Sequence, residues 1–156
     1  MKQFTGQASR RIAAPPASIY DLITDVDRLP EWNAAIERVI ERPTTLDVGE
    51  EWTVRMHPPR LPRWGSASRV TELDPVGRRF CYETRNTDGN PSRVQWSWLV
   101  EPAEGSGSTV TVHWLCTLAT LDRRLLAGPL RKRGLAREVP RSLDSLAAVL
   151  TDAASS

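Results

Sequence analysis

Arg93-Val94-Gln95-Trp96-Ser97-Trp98-Leu99-Val100-Glu101 sets Val94, Trp96, Trp98 and Val100 at alternate positions, with polar residues and Leu99 between them. A period of two sends successive side chains to opposite faces of a sheet, so the even set is expected to be buried. Thr109 to Leu118 repeats the pattern, with Val110, Val112, Trp114, Cys116 and Leu118 alternating against Thr109, Thr111, His113, Leu115 and Thr117. Trp52, Val54 and Met56 form a third inward set, and Phe80, Tyr82 and Thr84 a fourth. Four such sets predict one concave, aromatic-rich wall.

Outward from these strands, breaks rich in Gly, Pro, Asp or Asn fall at 43–49, 57–62, 74–77, 86–91 and 102–107. Six strands fit between them: Ile36 to Arg42, Glu51 to Met56, Arg63 to Leu73, Arg78 to Thr84, Arg93 to Glu101 and Thr109 to Leu118. Short turns make successive strands antiparallel neighbours in a meander. A further strand is expected over residues 8–13, ended by Ala14-Pro15-Pro16 because proline donates no ladder hydrogen bond. Ile19, Leu22, Ile23 and Val26 then follow helical spacing, and Asp27 is placed to cap a second short helix from Arg28 to about Ala34. At the far end Leu135, Val139, Leu143, Leu146 and Leu150 make one apolar stripe. This helix is expected to start irregularly near Asp122, run regularly from about Leu130, kink or break at Pro140, and fray from Thr151. The class is α+β: a seven-stranded antiparallel sheet wrapped around a long C-terminal helix, one domain over residues 1–156 with an ordered core of about 7–150.

Composition narrows the function classes. The 156 residues are 40% hydrophobic and 26% charged, enough for one core and too apolar for a disordered chain. No apolar run approaches the roughly 18 residues of a membrane span, and Met1 to Gly6 holds one lysine and no apolar segment, so a cytoplasmic protein without a secretory signal is expected. Cys81 and Cys116 fall on opposite faces and lack C-x-x-C spacing, and His57 and His113 form no metal-binding pair, so neither disulfide, metal nor cofactor is expected. A net charge of +2, without aromatics interleaved among the basic residues, gives no reason to expect nucleic acid.

Six tryptophans (Trp32, Trp52, Trp64, Trp96, Trp98 and Trp114) are many for this length. Each buries roughly 150–250 Å², so they either fill a core or wall a cavity for an apolar ligand. Ser66, Ser68, Glu72, Tyr82 and Thr84 share their face, as dispersed groups suited to structural hydrogen bonds. His113 falls outward by alternation and turns inward only if a bulge shifts the register. Asp21, Asp25 and Asp27 suit capping and solvation at a helix end. Seven basic residues between Arg123 and Arg141, with Glu138 the only acid among them and Leu125, Leu126 and Leu130 beside them, make either a solvated helix face or a contact surface.

Together with this element order, several local runs resemble a known superfamily. They are Ile12-Ala13-Ala14-Pro15-Pro16-Ala17-Ser18-Ile19-Tyr20, Asp25 to Trp32, Val48-Gly49, Val70-Thr71-Glu72-Leu73-Asp74-Pro75 and Gly107-Ser108-Thr109-Val110. They resemble the polyketide cyclase/dehydrase and lipid-transport (START-like, SRPBCC) proteins of the helix-grip fold, over about Gln7 to Leu150. The resemblance implies a hydrophobic small molecule held between sheet and long helix. Its walls are then expected from Trp52, Val54, Trp64, Tyr82, Trp96, Trp98 and Trp114, with Leu135, Val139 and Leu143 on the helix side and Pro58, Pro59 and Pro62 near the entrance. Binding or transport of a lipid, isoprenoid or polyketide-like molecule is the leading expectation. A cyclase or dehydratase using Tyr82 or an inward His113 is the rival. A third reading is an interaction module that meets a membrane or an acidic partner through Arg131, Lys132 and Arg133, and on any of the three a monomer or homodimer is expected.

Overall fold

The computed structural model describes residues 1–155, leaving aside the side chains of Leu126, Ala154 and Ser155; Ser156, the end of the expected domain, lies outside the described residues. In chain order the elements are β1 (Lys2–Ile12), α1 (Pro16–Ile23), a 3-10 turn (Val26–Arg28), α2 (Leu29–Trp32), β2 (Ile36–Glu41), β3 (Glu51–Met56), β4 (Trp64–Asp74), β5 (Arg79–Asn86), β6 (Arg93–Pro102), β7 (Ser108–Leu118), a π-helical turn (Arg123–Ala127) and α3 (Gly128–Ser155). The strands form one antiparallel sheet in the order β1-β7-β6-β5-β4-β3-β2. This is the expected helix-grip topology: a meander from β2 to β7, and β1 closing on β7.

The even face is the inner one. Val94, Trp98 and Val100 of β6 and Val110, Val112, Trp114, Cys116 and Leu118 of β7 are buried, whereas Gln95 and His113 are exposed. Leu135, Val139, Leu143 and Leu146 of α3 join the same cluster, as do Ile19, Leu22 and Ile23 of α1. Pro16 at the start of α1 costs nothing, because the first-turn N–H groups have no intrahelical partner. Truncating a residue buried as fully as Leu146 is worth about 2–5 kcal/mol.

Several expectations need correction. β1 begins at Lys2, not residue 8, since polar Gln3, Thr5 and Gln7 alternate only with Phe4, Gly6 and Ala8, a weak apolar signal. Asp27 caps nothing: it lies inside the 3-10 turn and pairs with Arg42. Helix α3 runs without a break through Pro140. Both Pro140 and Ala136 are exposed, so the carbonyl that loses its partner faces water. The helix also continues past Thr151, whose hydroxyl donates to the Ala147 carbonyl at 2.8 Å. Glu72 does not share the inner face. A register shift between Val70 and Glu72 sets Val70 opposite Tyr82 but Glu72 opposite Cys81, which turns Glu72 to the outer face beside Arg79.

Candidate functional site

Between the inner face of the sheet and the start of α3 lies a cavity of about 530 Å³. It sits where β3 ends, β4 begins, β5 ends and β6 begins, so the strand ends and the loops beyond them make its walls. Trp52, Val54, Trp64, Tyr82 and Trp96 line it, as does Pro62 of the proline loop. Leu61, Pro62 and Leu130 also line it while exposed to solvent, which marks the mouth.

The aromatic wall is continuous because cross-strand neighbours touch. Tyr82 of β5 stands directly opposite Trp96 of β6, and Trp96 opposite Trp114 of β7. The ring centroids are 6.3 and 6.1 Å apart, and Trp52 packs edge-on to Tyr82 at 5.0 Å.

Other residues expected at the cavity wall are buried elsewhere. Trp98 packs edge-on to Trp32 at 5.5 Å, in the core behind the cavity. The Trp114 ring lies over Gly6 of β1, the one neighbour without a side chain to exclude it, and a β-carbon built there would overlap the ring. Leu135, Val139 and Leu143 face the core. The helix side of the cavity is made instead by Leu130, Arg131, Gly134 and Glu138. At 100° per residue Gly134 and Glu138 stand one step round the helix from Leu135 and Val139, so α3 has a buried side on the core and a part-buried side on the cavity.

Hydrogen bonds define the polar surface of the cavity. Trp98 donates its indole N–H to the Tyr82 hydroxyl at 3.2 Å, and among the described residues that hydroxyl's own proton has no acceptor. Burial pushes the Tyr82 phenol well above its usual range, so it keeps its proton and acts as a neutral hydrogen-bond donor. Ser68 and Thr84 share a hydrogen bond of 2.7 Å, and Ser66 donates to the Arg85 carbonyl at 3.4 Å. Arg131 meets Glu138 at 3.4 Å on the helix side. His113 stays on the outer face, opposite Gln7 and Ser97 in unbroken register, so it does not reach the cavity. Cys81 is also on the outer face, where its thiol donates its one proton to Glu72 at 3.4 Å and lies 3.4 Å from the Ser97 hydroxyl. Among the described residues no three His, Cys, Asp or Glu side chains converge as a metal site, and no helix is long and apolar enough to cross a membrane.

The basic segment divides. Arg123 pairs with Asp88 at 2.7 Å, and Arg124 donates to the carbonyls of Leu118 and Ala119. Lys132, Arg133, Arg137 and Arg141 are exposed, and none has an acidic partner among the described residues. Leu125 and Leu130 are 74% and 71% exposed beside them; Leu126, expected in the same patch, lies outside the described side chains.

A family model described as polyketide cyclase/dehydrase and lipid transport matches residues 3–151. The chain belongs to this family. Within the polyketide cyclase/dehydrase and lipid transport family, the chain is similar to the aromatase/cyclase Zhui from Streptomyces sp. R1128, with a TM-score of 0.77, 18% identity and coverage of 96% of this chain and 94% of that one. It is similar also to TTHA0849 from Thermus thermophilus, with a TM-score of 0.73, 21% identity and coverage of 96% and 99%. On the di-domain aromatase/cyclase StfQ it covers 99% of its own length and 52% of the other, with a TM-score of 0.78 and 13% identity. No curated protein matches the chain in sequence. At these identities the structures show a shared fold, and the chemistry has to be argued from this chain's own cavity.

Several cavity residues escaped the sequence reading. Asn86, Asn90, Ser92 and Arg93 reach it from the β5–β6 connection, and Gly134 and Glu138 from the helix. Only Glu138 carried a signal, as the lone acid in a basic run.

Proposed function

We propose that this chain binds a hydrophobic small molecule in the cavity between sheet and α3, as a carrier or receptor of a lipid, isoprenoid or polyketide-like compound. The observation that carries this reading is a cavity of about 530 Å³ with Trp52, Val54, Met56, Trp64 and Trp96 on its walls and exposed leucines at its mouth. That volume lies within the range of roughly 300–1,000 Å³ of small-molecule sites, and burial of apolar ligand surface at about 25 cal/mol per Å² supplies the affinity. Tyr82, with an unused proton, orients a ligand oxygen. Native purification without detergent, followed by mass spectrometry of what denaturation releases, tests the reading. An apolar compound recovered in stoichiometric amount is expected. Release of nothing, together with failure to bind neutral apolar probes, overturns it.

The rival reading, a cyclase or dehydratase in the same cavity, is favoured by the Tyr82 hydroxyl, whose free proton can hydrogen-bond and polarise a substrate carbonyl oxygen. It requires turnover of a poly-β-ketone analogue that Tyr82→Phe lowers by at least tenfold while ligand binding persists.

The exposed Leu125 and Leu130 beside Lys132, Arg133, Arg137 and Arg141 favour contact between the mouth and an anionic lipid surface, where each cation contributes about 1 kcal/mol. Co-sedimentation with phosphatidylserine vesicles, weakened by salt and by charge removal at Lys132, Arg133 and Arg137, is the expected outcome.

A further inference from the structure

We infer that the cavity has a cationic end, built on Arg131, that takes the anionic group of an amphipathic ligand, so that the preferred ligand is a hydrophobic acid. The inference rests on the binding reading above and names the chemical class of what is bound.

The sheet order sets β3 and β4 on one side of β5 and β6 and β7 on the other. On the β3–β4 side the cavity wall is Trp52, Val54, Met56, Trp64, Ser66 and Ser68, with Leu61 and Pro62 from the connecting loop; none is charged. Across from it stand Arg123 and Arg131, and Glu138 is the only acid lining the cavity among the described residues; Arg93, at an outward position of β6, turns its guanidinium to Glu83 on the outer face. The ligand space is therefore polarised from an uncharged, mostly apolar side to a side that carries Arg123 and Arg131.

The acids behind these arginines do not saturate them. Arg123 has Asp88 at 2.7 Å. Arg131 has a single contact with Glu138, at 3.4 Å. A guanidinium carries five N–H donors in a planar fork suited to two parallel bonds to one carboxylate, so most of the capacity of Arg131 is unused among the described residues. The sheet side agrees with its position: burial pushes the Cys116 thiol up, and the Arg131 charge pulls it part of the way back. The Arg131 side chain is 27% exposed, and away from bulk water an ion pair there is stronger than at the surface. Glu138, one contact away, holds the fork in place without filling it.

The test compares 1-pyrenebutyrate with 1-pyrenebutanol, which share rings and length and differ in charge, by equilibrium titration followed in pyrene emission at neutral pH. The acid is expected to bind at least tenfold tighter than the alcohol. Arg131→Gln is expected to abolish that preference by lowering the affinity for the acid at least tenfold more than that for the alcohol, with the melting temperature recorded to show that the variant folds. Lys132→Gln, which removes an exposed neighbouring charge, is expected to keep the preference. Equal affinities in the unaltered protein, or a preference that survives Arg131→Gln, overturns the cationic end and leaves the cavity reading standing. Binding of neither compound overturns both.

Discussion

Tyr82 meets Trp52 and Phe80 at 5.0 Å each, and its hydroxyl accepts from Trp98. Replacing it by phenylalanine leaves the Trp98 N–H without an acceptor, which costs about 1–3 kcal/mol; a urea unfolding midpoint lowered accordingly is expected. Gly6→Ala is expected to lower the melting temperature, because a methyl group there overlaps the Trp114 ring and forces that indole from its seat. Burial, with a contribution from the Asp74 charge, pushes the Tyr20 phenol up to about 12, while Tyr82 is raised by burial. Both phenols lose their proton more easily in the unfolded chain, so stability falls as pH rises above about 10. Tyr82→Phe should flatten that alkaline slope in denaturation curves taken between pH 9 and 11. Alternation was sufficient to put Tyr82, Trp96 and Trp52 on the inner face. It could not separate Trp98 and Trp114 from the cavity, because that choice depends on Trp32 above one ring and Gly6 beneath the other, contacts more than fifty residues apart in sequence.

Element by element, the strands of the meander follow period two and the breaks between them, and these were readable to within one or two residues. The bulge in β4 was not, because one extra residue reverses every later side chain and leaves no mark in composition; Glu72 moved to the outer face for that reason. On α3 the apolar stripe signalled burial in the core and not the lining of the cavity. A stripe seals onto the core, whereas the side that borders a cavity can be small or charged, as Gly134 and Glu138 are. Pro140 leaves the Ala136 carbonyl to water on the exposed side of an otherwise regular helix. Pro140→Ala is therefore expected to raise stability by about 1 kcal/mol or more, read as a higher thermal midpoint, since interior proline is among the poorest helix residues.

Over the whole molecule, a sheet curved around one helix places seven strands' worth of side chains against a rod too narrow to touch them all. The uncovered part, at the open ends of β3 to β6, is the cavity. Gly134 is the most direct handle on it. A β-carbon there meets nothing closer than Glu138 at 3.6 Å, so a larger side chain starts cleanly and extends into the ligand space. Titration of 1-pyrenebutanol into the unaltered protein and into Gly134→Phe, with melting temperatures recorded for both, tests the central claim. Saturable binding at one site, lost by at least tenfold in Gly134→Phe with no fall in melting temperature, is the predicted result; equal binding by the two proteins, or none by either, contradicts it.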